Sequence, residues 1–103
     1  MIEREFQRVA LTQSVTVDSS SGHREVRVTD LSVGGCYVDC ISATQPGEVV
    51  GLKFTLPQGR REEIFGTVLY VHDGIGFGVQ FNDMAREQRT VLEQLILLNG
   101  GEI

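Results

Sequence analysis

Two short runs hold the side chains best suited to gripping an anion. Arg4-Glu5-Phe6-Gln7-Arg8 is an RxxxR, the only pair of arginines at that spacing in the chain. Asp30-Leu31-Ser32-Val33-Gly34-Gly35 is a DxSxxG. A planar guanidinium can contact phosphate or guanine through two parallel hydrogen bonds. A carboxylate accepts from N–H donors, a hydroxyl donates to phosphate oxygens, and paired glycines let the backbone approach an anion and offer it their N–H groups. Each run also has a plainer reading. Alone, Arg4 and Arg8 read as a solvated chain end, and Asp30 and Ser32 as a turn whose side chains bond their own backbone. The second plain reading is compatible with binding, because such a turn would present the ligand groups ready-formed.

Other candidate chemistry is weaker. His23 and His72 fall in separate turns with no ligand pattern around them, so both read as surface histidines and no metal site is expected. Ser32 is not in a GxSxG elbow and has no nearby His in sequence, so no hydrolase and no catalytic residue is expected. Gly74-Ile75-Gly76-Phe77-Gly78 lacks the spacing of a phosphate loop and reads as close β packing. Cys36 and Cys40, four apart on a strand, would be about 13 Å apart at ~3.3 Å per residue. That is too far for a disulfide, and they are expected to be two small buried thiols.

The elements that must position these groups follow from periodicity. Residues 1–9 match neither the helix nor the strand period and read as an N-terminal arm. Val15 and Val17, then Val26 and Val28, alternate on two strands joined by the turn cluster Asp18–Gly22. The run Ser32–Gly35 breaks the second strand, and Cys36–Cys40 resumes extended structure. Val50, Leu52, Phe54 and Leu56 share one face of a strand that Pro57-Gln58-Gly59 turns into a longer one over Glu63–Val71. After His72-Asp73-Gly74, Ile75, Phe77, Val79 and Phe81 point inward, with Gly76, Gly78 and Gln80 outward. Asn82 or Asp83 then caps a helix carrying Met84, Val91, Leu92, Leu95 and Ile96, which Gly100-Gly101 stops. The expectation is an all-β single domain over 1–103: a six-stranded antiparallel β-barrel over 11–82, plugged by a C-terminal helix over 84–99.

Net charge is −5 with only 7% aromatic residues. Both oppose a small barrel that binds single-stranded nucleic acid, which needs a basic groove and stacking rings. Eight of the nine basic residues are Arg, Lys53 being the exception, which favours directed contacts with a small anionic ligand. The N-terminus is charged from the start, and the longest apolar run, near Leu95–Leu98, is far short of the ~20 residues that span a bilayer. The expectation is a cytoplasmic protein without membrane insertion.

In this order — basic arm, strand, DxSxxG break, further strands, helix — the chain resembles the PilZ domain family over nearly its whole length. The closing strand Gly76-Phe77-Gly78-Val79-Gln80-Phe81 is similar to that family's Gly-Val-x-Phe ending. The resemblance implies a bacterial receptor for the second messenger cyclic di-GMP, with Arg4, Arg8, Asp30, Ser32 and Gly35 as ligand-binding residues. Gly34, Val33 and Tyr70 are secondary candidates, Tyr70 because many members carry a Trp near that position of a long strand. It implies no cofactor beyond that ligand, and an effector protein as partner. A PilZ-like module acting only through protein contacts is the alternative.

Overall fold

The computed structural model describes residues 9–11, 14–20, 22–41 and 44–101. Among them, six strands precede one helix: β1 (Ser14–Ser19), β2 (Gly22–Thr29), β3 (Gly35–Asp39), β4 (Val49–Thr55), β5 (Arg61–His72), β6 (Gly76–Phe81) and α1 (Arg86–Leu98). All neighbours are antiparallel, and the order β1-β2-β3-β6-β5-β4 closes on itself through β1 and β4. Closure means that neither β1 nor β4 is a free edge strand. The expected all-β barrel with a C-terminal helix is the observed fold.

Alternation decides which side chains fill it. Val50, Leu52, Phe54 and Leu56 are all buried, as are Val15 and Val17, Val26 and Val28, and Cys36 and Val38. Phe54 meets Phe81 edge-on at 6.1 Å between ring centres, an arrangement aromatic quadrupoles favour. The β4–β5 turn closes through Leu56 N–H to Arg60 O and Gly59 N–H to Leu56 O, both 2.8 Å. Gly59 has φ +100°, open to glycine at little cost.

Strand directions sort the connections between two ends of the barrel. The β2–β3 segment, the β4–β5 turn and the β6–α1 link share one end. The β1–β2 turn, the β3–β4 loop and the β5–β6 turn share the other. Helix α1 covers the first end with Val91, Leu92, Leu95 and Ile96. Gln88 Nε2 donates to Glu63 O at 2.7 Å and Arg60 donates to Glu87 O at 3.4 Å, which ties α1 to the start of β5.

Four local expectations need correction. The helix is capped at Ala85, not Asn82 or Asp83: the Ala85 N–H donates to Gln88 Oε1 at 2.6 Å, while Asn82 Oδ1 accepts from the Thr67 hydroxyl at 2.9 Å. Ile75 does not point inward; it lies in the β5–β6 turn, 60% exposed. Gly76 and Gly78 are on the outer face as expected but are buried, because aromatic rings lie over them. Cys40 follows β3 and is only half-buried, its sulfur 3.8 Å from an Arg24 nitrogen, whereas Cys36 is buried; both thiols are free.

Candidate functional site

The DxSxxG segment forms the β2–β3 connection, and each of its residues is held in a particular way. Val9 and Leu31 exchange two backbone hydrogen bonds, Val9 N–H to Leu31 O at 2.8 Å and Leu31 N–H to Val9 O at 2.6 Å. Leu11 N–H donates to Val28 O at 3.3 Å. Val9, Leu11 and Leu31 are buried in the core. The chain leading into the barrel is thus fastened beside the segment, with Val9 the one described residue of the expected 1–9 arm.

Asp30 precedes this anchor and is exposed, with φ +54°. Left-handed backbone is uncommon outside glycine, and Asp is among the side chains that tolerate it. Ser32, 1% exposed, organises the rest. Its N–H donates to Gly35 O at 2.8 Å, its hydroxyl approaches the same oxygen at 3.4 Å, and that hydroxyl accepts from Gly34 N–H at 3.2 Å. The Ser32 side chain is therefore committed to the turn, as is the Gly34 N–H. Gly34 O accepts from Phe81 N–H at 2.9 Å, tying the turn to the end of β6.

Gly35 is needed for packing. A Cβ there would collide with the Val79 carbonyl oxygen of β6, so the final glycine of the motif lets β3 start against β6. Val33 is half-buried and packs on the core. Of the candidates, the structure groups Asp30, Ser32, Val33, Gly34 and Gly35 in one turn. Asp30 is exposed, Val33 and Gly34 are partly exposed, and Ser32 and Gly35 are buried. Arg4 and Arg8 lie outside the described residues.

Tyr70 stands apart on the outer face of β5, 45% exposed. A β-bulge between Val68 and Tyr70 shifts the register so that Tyr70 pairs with Gly78. Gly78 in turn pairs with Tyr37, and Tyr37 with Thr29, the residue before Asp30. This cross-strand row runs from the turn to the ring. Tyr70 lies over Gly78, where any Cβ would strike it, and Tyr37 leans over Gly76. His72 completes a cluster: its ring centre is 5.1 Å from Tyr70 and 5.8 Å from Tyr37, and the Tyr37 hydroxyl meets His72 Nδ1 at 3.1 Å. Desolvation, then the nearby Tyr70 and Asp39, raises the Tyr37 pKa above the ordinary 10.0.

Tyr37 and His72 were missed in the sequence. The available signal was parity: Tyr37 is two residues past Gly35, and His72 two past Tyr70, which puts each on the outer face. What parity cannot show is that β6 lies between β3 and β5, with glycines where the rings settle.

Among the described residues, no helix is long and apolar enough to cross a membrane. The fold resembles the Bacillus subtilis inhibitor of motility MotI/DgrA, with a TM-score of 0.75, 19% identity, and coverage of 97% of this chain and 54% of that one. It also resembles the Borreliella burgdorferi PlzA protein, solved in complex with c-di-GMP, with a TM-score of 0.66, 15% identity, and coverage of 90% and 40%. The chain spans about half the length of these solved structures or less. No curated protein matches it significantly. The sequence model for the PilZ domain matches residues 2–98, and with nearly the whole chain inside that match, the barrel, helix and β2–β3 turn described above belong to a member of the PilZ domain family.

Proposed function

We propose that this chain is a receptor domain for cyclic di-GMP, not an enzyme, and that it acts in the cytoplasm by changing the surface it shows to an effector protein. The observation that carries the reading is the anchored turn. It displays an acid in left-handed backbone, and the residue paired beside it, Val9, is one peptide bond from Arg8. Residues that exchange two ladder bonds have Cα atoms about 5.5 Å apart, and each peptide adds about 3.8 Å. The RxxxR run thus leads directly into the residue paired with Leu31. Arg4, five residues before Val9, is on a tether of at most about 18 Å.

In this reading Arg4 and Arg8 grip phosphates or guanine edges, and Asp30 accepts from guanine N–H donors. Ser32 and Gly35 act through the turn, one by bonding it and the other by letting it sit on β6. Gly34 admits close approach, Val33 offers an apolar contact, and Tyr70 offers a ring face to a purine. Closing of the segment that precedes the anchored Val9 over the ligand would supply the change of surface. The PlzA complex supports the choice of ligand. MotI, described as an inhibitor of motility, supports action on a partner.

Calorimetry with cyclic di-GMP tests this. Wild type should bind, while Arg8→Ala and Asp30→Asn should not, with both variants still folded by circular dichroism; Asn suits because it tolerates left-handed backbone. Ligand at 100 times its dissociation constant should stabilise the fold by about 2.7 kcal/mol. A PilZ module working through protein contacts alone would show neither heat nor shift.

A further inference from the structure

Gln80 has no part in the site so far, yet it lies between the turn and the aromatic cluster. In the β3-β6-β5 ladder it pairs with Gly35 on one side and Thr67 on the other. Its neighbour Val79 is buried and Gln80 is exposed, so it shares the outer face with Tyr37, Gly78 and Tyr70. Gly35, itself buried, carries no side chain, so nothing projects from β3 opposite Gln80 where the DxSxxG turn enters the barrel. Two residues earlier on that face is Gly78, about 6.7 Å away along the strand, covered by the ring of Tyr70. The Thr67 hydroxyl is engaged by Asn82.

We propose that Gln80 binds the edge of the purine that lies on Tyr70, an inference that rests on the receptor reading above. The tyrosine has an exposed ring, and the glycine beneath lets that ring lie close to the sheet. A base stacked on it is held by one face and needs a polar partner at its rim to fix its rotation. The primary carboxamide supplies two donors and an acceptor, which match the O6 acceptor and N1–H donor of guanine. The dinucleotide would then extend from the turn past the exposed Gln80 to the ring. Gln80 orients the base and contributes little discrimination of its own, because a carboxamide pairs with the adenine edge as well.

The test uses the full chain and cyclic di-GMP. Gln80→Ala should melt with the wild type, since the side chain is exposed opposite a glycine, and should bind about 3- to 10-fold more weakly, the loss expected for one neutral hydrogen bond. The side-chain amide resonances of Gln80, identified by their absence from the variant, should move on titration into wild type. An affinity within about twofold of wild type, or amide signals unmoved at saturation, overturns the assignment while leaving the receptor reading intact. Failure of wild type itself to bind overturns both.

Discussion

Asp30 and Gly35 stand five residues apart in one turn and are required for different physical reasons. Gly35 is needed because any larger residue meets the Val79 carbonyl. Gly35→Ala should therefore lower stability by about 1–3 kcal/mol or more in chemical denaturation, and lose binding as a consequence. Ser32→Ala should behave similarly on a smaller scale. It leaves a buried turn without its hydroxyl bonds to Gly34 N–H and Gly35 O, a loss of about 1–3 kcal/mol. Asp30→Asn should stay folded and lose binding. If Ser32→Ala bound normally and melted normally, the hydroxyl would not be holding the turn. The residue types of this site were legible in the sequence as DLSVGG, but their division of labour was not. A motif shows which groups are available; it does not show that the serine points inward and the aspartate outward, since that depends on where Leu31 is anchored by Val9.

Single strands were read correctly where one face is buried along the whole run, as in β4, because apolar and polar positions then alternate without interruption. The reading failed where geometry outside the strand intervened. Ile75 is taken up by a turn, and the helix begins after Ala85 because Gln88 closes the cap from within. A further element-level device, invisible in the sequence, is the fastening at the barrel end opposite α1. Glu48 Oε2 accepts from Ser20 N–H at 2.8 Å and Oε1 from Gln45 N–H at 3.4 Å, joining the β1–β2 turn to the β3–β4 loop. Hydrogen bonds from Ser20, side chain first and then backbone, hold the Glu48 pKa below the ordinary 4.5 and outweigh its slight desolvation. A depressed carboxyl pKa contributes stability above the unfolded value and loses it as pH falls through the folded one. Glu48→Gln should thus be less stable than wild type at neutral pH and show a shallower loss on acidification below about pH 4.5, measured by denaturant midpoints across pH. Parallel pH curves for the two proteins would refute the fastening.

Over the whole molecule, the net charge of −5 means that a doubly anionic ligand gains nothing from long-range attraction, so affinity must come from directed contacts. With two arginines supplying the phosphate grip, binding should fall less than about tenfold across a fourfold rise in salt. A loss of a hundredfold or more, followed by calorimetry at graded salt, would mean that a broader basic surface is involved. The barrel itself was legible because six alternating runs and one helix-period segment leave few ways to bury every apolar face. The outer face was not, since exposed positions carry no period of their own. That face has an optical consequence. The chain contains two tyrosines and no tryptophan, and both tyrosines sit in the cluster over Gly76 and Gly78. Near-ultraviolet emission from the unlabelled protein is consequently a local signal, a natural chromophore pair placed within one ladder row of the turn.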